Sequence, residues 1–208
     1  MLMEYLTIFC TFWVTKNIFM NRLTFALLAL AAVCTSLSSS AQTSDEMQAM
    51  MAYSTPGDIH KMLAKSAGSW SATLSMWMQP DAKPVSSTAS CVNEMILGGR
   101  YLQAKNKGAF MGQPFEGIGL TGYDNAKKQF VSTWVDNMGT GIMTMTGTWD
   151  EASKSIRYSG MMVDPTTSKD VPVRQVWRFV DDNNQIMEMY TDFNGKEFKT
   201  MEVKYTRQ

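Results

Sequence analysis

The stretch Ser69-Trp70-Ser71-Ala72-Thr73-Leu74-Ser75-Met76-Trp77-Met78 decides the fold. Trp70, Ala72, Leu74, Met76 and Met78 alternate with Ser69, Ser71, Thr73, Ser75 and Trp77. Successive side chains of a strand point to opposite faces, so a period of two gives one apolar face and one largely hydroxylated face. This is the pattern of a half-buried strand.

Upstream the period is different. Thr55-Pro56-Gly57-Asp58 offers a capping hydroxyl, a proline at the first helical position and an acid near the helix start. Ile59, Met62 and Leu63 follow at helical spacing, and Gly68 ends the element. The signals predict one helix of about ten residues. Before it, Gln42 to Ser54 is polar and rich in Met, and reads as a flexible lead-in over 42–54.

Downstream the period of two recurs. Strands are predicted over Val85–Met95, Arg100–Lys105, Phe115–Tyr123, Gln129–Asp136, Thr140–Trp149, Ser155–Val163, Val171–Val180, Gln185–Phe193 and Lys196–Arg207. Turn residues separate them at Pro80 to Pro84, Gly98-Gly99, Asp124 to Lys128, Asp150-Glu151, Asp164-Pro165 and Asp181 to Asn184. Asn194-Gly195 is the strongest of these, a two-residue hairpin signal. The series of about ten strands predicts a mostly β domain over 55–208, closed as an antiparallel up-and-down barrel. A two-sheet sandwich is the alternative that the same pattern allows.

Composition narrows the function classes. The chain has 208 residues, with 19 basic and 19 acidic side chains and no long basic run. This gives no electrostatic footprint for nucleic acid or an anionic membrane surface. Methionine is abundant at 19 residues. Its flexible thioether can line an adaptable apolar pocket or simply fill a core.

The N-terminus reads as an address. Met20-Asn21-Arg22 opens a positive n-region, Leu23 to Val33 is an apolar run of 11 residues, and Ser39-Ser40-Ala41 presents small residues for cleavage before Gln42. That run is too short to span a bilayer and right for a secretory signal over 20–41. Residues 1–19 then read as a gene-start extension. The alternative is a longer membrane anchor, since Tyr5 to Val14 is also apolar, although Lys16, Asn17, Asn21 and Arg22 interrupt it. A third reading is lipidation at Cys34, although Val33 is larger than the small residue expected before such a cysteine. Simple cleavage places the domain in the periplasm or outside the cell. It also leaves Cys91 as the sole cysteine, without a partner for a disulfide within the chain or for a Cys-based zinc site. Nothing calls for a cofactor, a metal or an integral membrane domain in the mature chain, and the oligomeric state stays open.

Four motifs bear on chemistry. Gly117-Ile118-Gly119-Leu120-Thr121-Gly122 spells a dinucleotide-binding pattern. That motif needs a helix opening on it, and here a turn and another strand follow, so the glycines are read as sites of close packing. His60 is the only histidine, which excludes clustered-histidine sites and points to packing or capping. Glu116 and Asp136 lie in strands dense with Gly and aromatic residues. Facing inward they would be paired with Arg100, Arg174 or Arg178, anchor a ligand head group, or act as acid and base. The aromatic residues Trp70, Phe115, Tyr123, Trp134, Trp149, Trp177 and Tyr190 are read mainly as core.

Longer motifs add a resemblance. His60-x-x-Leu63, Gly68-x-Trp70 and Gly98-Gly99-Arg100-Tyr101-Leu102 lead to Gly112-x-Pro114-Phe115-Glu116-Gly117-x-Gly119-x-x-Gly122-Tyr123-Asp124-Asn125. Trp134-x-Asp136-x-Met138-x-Thr140-Gly141 follows. Together they resemble the bacterial family named domain of unknown function 1579. The resemblance spans about Asp58 to Arg207 and implies a lipocalin-like barrel, similar to the calycin group. It implies no activity, and it marks Glu116, Tyr123, Asp124, Trp134 and Asp136 only as site-lining or fold-defining.

The functional expectation is a barrel that binds a small hydrophobic or amphipathic molecule, with Arg100, Glu116, Tyr123, Trp134, Asp136, Met143, Met145 and Arg174 as candidate ligand contacts. The alternatives are an enzyme using Glu116 and Asp136, or an envelope interaction protein without a small ligand.

Overall fold

The alternating stretch forms β1 (Gly68–Met76), the first of ten antiparallel strands. The others are β2 (Val85–Ile96), β3 (Tyr101–Phe110), β4 (Gln113–Asp124), β5 (Gln129–Asp136), β6 (Met143–Asp150), β7 (Ser155–Asp164), β8 (Lys169–Phe179), β9 (Asn184–Phe193) and β10 (Lys196–Arg207). The structure, a computed structural model, describes residues 44–208. The expected prefix, signal and lipidation site lie outside the described residues.

Each strand pairs with the next, and β10 returns to β1, so the sheet closes as a barrel. The closing ladder runs from Trp70 opposite Arg207 to Met76 opposite Met201. It satisfies the backbone groups that an open sheet would leave as edges, and it excludes the sandwich.

β3 runs on to Phe110 rather than stopping at Lys105. Its polar continuation Asn106-Lys107-Gly108 hides the period, yet Asn106 is buried and pairs with Cys91, and Gly108 packs on Ala89. The β3–β4 hairpin then turns at Met111-Gly112, both with positive φ. Residues 44–54, to which the sequence reading assigned no element, are helical (α1) and exposed to solvent. Their straight-chain and Ala content suits a helix even where no core is offered.

The second helix, α2 (Asp58–Ala64), belongs to the compact unit Tyr53–Gln208 and is shorter than predicted. Its N-cap is Gly57, not Thr55. The helix starts later because His60, at the third helical position, supplies the capping contact: Gly57 N–H donates to His60 Nδ1 at 3.0 Å. α2 seals one end of the barrel. Leu63 is fully buried in a cluster with Phe130, Met145, Ile156, Tyr158 and Val173. Burying a leucine of this kind contributes roughly 1.5–3 kcal/mol. Just beyond the helix, Ser66 ties three strands to the plug. Its carbonyl accepts from Trp70 Nε1 and Asn93 Nδ2, and its hydroxyl accepts from Gln185 Nε2. Arg207 lies over the Trp70 ring and donates to the Lys65 and Ala67 carbonyls.

His60 makes this end sensitive to acid. Its burial holds the imidazole below the free value of 6.5, the Tyr123 carbonyl opposes this, and the Arg100 charge adds to it. A protonated ring cannot accept the Gly57 N–H. Because the folded-state value is depressed, the stability that neutral His60 contributes is complete above pH 6.5 and is lost as pH falls through the folded value. Acidification from pH 7 to 5 should cost about 1 kcal/mol through this cap. The single imidazole signal in an NMR titration should move at a pH below 6.5, and a midpoint above that would contradict the cap.

Candidate functional site

Register and burial separate the two faces of the barrel. In β6, Met143, Met145, Gly147 and Trp149 point inward while Thr144, Thr146 and Thr148 are exposed. In β5 the inward set is Phe130, Ser132, Trp134 and Asp136; in β7 it includes Ile156, Tyr158, Gly160 and Met162. The α2 end is plugged, with Leu63, Phe130 and Ile156 at 0% exposure, although Met95, Trp149, Trp177 and Phe179 there stay partly exposed. Toward the other end the inward side chains keep partial exposure. Leu74, Met76, Trp134, Met143, Met162, Met189, Phe198 and Met201 all do so. The interior therefore forms a cup, closed by α2 and lined toward its mouth by methionine and aromatic side chains. Exposed apolar residues continue around the mouth at Met78, Met111, Met138 and Ile142.

The cup wall depends on two glycines. A Cβ at Gly117 would fall 2.4 Å from Trp134 Cζ2, and one at Gly119 would touch the same ring at 3.4 Å. Gly117 thus lets the indole lie flat along β4. The stretch is one continuous strand followed by a turn and β5, so the dinucleotide pattern is packing, as its context predicted. Trp134 Nε1 donates to Asp136 Oδ2 at 2.7 Å, and Asp136 Oδ1 accepts from Met138 N–H at 2.9 Å. Asp136 is therefore a rim carboxylate that fixes Trp134 and starts the β5–β6 loop.

The candidate residues divide. Trp134, Asp136 and Met143 line the open half, and Met145 lies buried at its floor. Glu116 does not face the interior: it points outward from β4, 3.1 Å from Lys107. Arg174 is also on the outer face, bonded through Nε and Nη2 to Glu197 and stacked 3.9 Å from the Tyr190 ring centroid. Glu197 is held below the usual carboxylate value by that pair. The physical reason is parity: both residues occupy the solvent set of their strands. Arg178 likewise pairs outside with Glu188. Tyr123 points inward but sits at the sealed end, in edge contact with His60 and Phe130. Arg100 lies in the β2–β3 turn, where it donates to the carbonyls of Leu97 and Ser54. It borders a separate groove of about 360 Å³ between segment 53–56 and the outer face of β3, β4 and β5. Asn125 ties that segment down by donating to the Tyr53 and Thr55 carbonyls.

Sequence reasoning passed over several interior polar residues, among them Asn106, Thr121, Ser132 and Gln175. They alternate with outward residues in the inward parity of β3, β4, β5 and β8. That parity was the available signal. Between rim and sealed end the inner face carries no charged residue: Asp136, Asp164, Lys169 and Lys196 sit at the rim and Arg207 at the α2 end. Among the described residues there is no group of three metal-ligating side chains and no helix long and apolar enough to cross a membrane.

The profile of a family described as a protein of unknown function, DUF1579, matches residues 55–207. The chain belongs to this family. The match covers the whole DUF1579 barrel and stops short of α1. No curated protein matches. Among solved structures, the DUF1579 chain is similar to that of Rv2717c from M. tuberculosis. The TM-score is 0.55 at 14% identity, over 74% of this chain and 99% of the other. At that identity the likeness concerns the fold. A redesigned β-barrel also matches, with a TM-score of 0.36 and 14% identity over 70% of this chain and 94% of the other.

Proposed function

We propose that this DUF1579 protein binds a small neutral, apolar or amphipathic molecule inside the open half of its barrel. The observation that carries the reading is the difference between the two ends: α2 plugs one end through the fully buried Leu63, although Trp149, Trp177 and Phe179 there keep partial exposure, while among the described residues no helix covers the partly exposed Met and aromatic side chains at the mouth. Apolar concavities with a few polar groups are the usual form of ligand sites. Methionine suits the lining because it adapts to irregular shapes. An uncharged inner wall favours an uncharged occupant, since an ion without a partner is costly to bury.

Acid–base catalysis by Glu116 and Asp136 lacks its geometry. The two carboxylates lie on opposite faces of the wall and do not meet in one cavity.

The neutral dye N-phenyl-1-naphthylamine tests the reading. Its fluorescence should rise and saturate at one equivalent. Leu74→Trp, at an inward and partly exposed position of β1, should fill the cup and weaken binding about tenfold or more. Absence of saturable binding by the wild type ends this reading.

We further propose that the protein works outside the cytoplasm, on the support of the charged n-region, apolar run and small residues over 20–41. The expected mature mass from an expressing bacterium begins at Gln42. A lipid-bearing Cys34, or a retained residue 20, would count against simple cleavage.

A further inference from the structure

The floor of the cup contains a polar group that the apolar reading does not use. Tyr158 points inward from β7 and is 1% exposed, and its hydroxyl lies beside the Thr121 hydroxyl without a well-formed hydrogen bond in the protein. Burial pushes this phenol well up, with Thr121 beside it acting in the opposite direction. An unpartnered buried hydroxyl is destabilising, and native cores rarely keep one without a reason.

The Tyr158 hydroxyl lies beside Thr121, and register gives the ladder on which Thr121 sits. Thr121 pairs with Ser132, Ser132 with Met145, and Met145 with Gly160. That level is one step nearer the mouth than Tyr158 itself. Thr121 Oγ1 already donates to Ser132 Oγ at 3.4 Å. Ser132 faces inward and keeps partial exposure, so the open cup reaches it. Tyr158, Thr121 and Ser132 therefore gather three hydroxyls at the boundary between the sealed core and the accessible lining. Gly160 carries no side chain to screen them, and a Cβ there would collide with the Thr144 carbonyl oxygen at 2.6 Å.

We infer that this hydroxyl cluster is the anchor for the polar head of the occupant, which is a neutral hydrogen-bonding group such as an alcohol or carbonyl on an apolar body. The head lies at the floor, bonded by the partly exposed Ser132 and, once the side chains that cover it shift, by the buried Tyr158, and the body lies against the methionine and aromatic wall. A carboxylate head does not fit, because no cationic side chain faces this level: Arg174 and Arg178 are outside, and Arg207 is committed at the α2 end. The inference rests on the binding function proposed above.

The test uses the full-length protein and displacement of bound N-phenyl-1-naphthylamine by decan-1-ol and by decanoate at pH 7.5. Decan-1-ol should displace the dye at about tenfold lower concentration than decanoate. Tyr158→Phe should weaken decan-1-ol about 3- to 12-fold, the loss of one neutral hydrogen bond, and change dye affinity less than about twofold. It should leave the melting temperature nearly unchanged, because the hydroxyl it removes makes no well-formed hydrogen bond in the protein. Ser132→Ala should give the same selective loss and serves if Tyr158→Phe does not fold. Unchanged decan-1-ol affinity in these variants overturns the anchor, and decanoate competing as well as decan-1-ol overturns the neutral class. If the dye itself fails to bind the wild type, the binding function fails, and the anchor with it.

Discussion

Replacing Phe130 with alanine is expected to destabilise the barrel by about 3–5 kcal/mol. Phe130 is fully buried at the start of β5 and joins the two halves of the sealed end. Its ring meets Tyr123 edge-on at 5.0 Å and Tyr158 at 6.4 Å. Edge-to-face pairs of this kind add to the area term. Gly147 lies directly opposite Phe130 on β6 and has no side chain that could move into the space. A Cβ there already falls 2.6 Å from the Arg157 carbonyl oxygen, so the backbone is too close to collapse further. The cavity should persist, which places the cost toward the upper part of the range. Urea unfolding followed by circular dichroism measures it. A loss below about 1.5 kcal/mol would show that neighbouring side chains repack, and would contradict the rigid packing argued for this end.

Leu63→Ala should cost about 2–5 kcal/mol and act on the plug rather than the wall. Leu63 is the fully buried contact of a seven-residue helix. A helix this short holds its shape through tertiary packing and not through propensity. Losing the leucine should therefore loosen α2 and expose the lower interior. For a domain of this size the melting temperature should fall by roughly 5–15 °C. Amide exchange should accelerate first in α2 and next in the strand ends bonded to Ser66. Uniform acceleration across all ten strands would mean that the plug and the barrel unfold as one unit. Leu63 and Phe130 share one cluster, so the double variant should lose less than the two single losses combined.

The strand series was legible because its chemistry is local. The alternation in β1, the threonines of β6 and the Asn194-Gly195 hairpin each state their structure within a few residues, and Asn194 and Gly195 both adopt the positive φ that the turn requires. The glycine pattern over 117–122 was readable for the same reason, since no helix signal follows it. β3 was only half legible, because an inward Asn106 and Gly108 interrupt the apolar set without ending the strand. The start of α2 was misplaced by two residues because the cap comes from His60, a type not expected in that role, instead of the Thr55 hydroxyl.

The candidate site was less legible, and the residues show why. Glu116 and Arg174 invited an inward reading from their apolar and aromatic neighbours along the chain. Strand parity places both in the solvent set, and their partners come from other strands, Lys107 from adjacent β3 and Glu197 from β10, across β9. Trp134, Asp136 and Met143 meet at the mouth because β5 and β6 are paired there.

By itself the sequence determined a series of about ten strands, the family, and apolar strand faces rich in methionine, since period, turn chemistry and composition are properties of the chain, whereas closure rests on the ladder between β1 and β10. Only the tertiary structure decided which end is sealed, that the inner wall is uncharged between its ends, and that the Tyr158, Thr121 and Ser132 hydroxyls share one floor. These depend on register across strands far apart in sequence, where a shift of one residue would turn every inward side chain to the solvent.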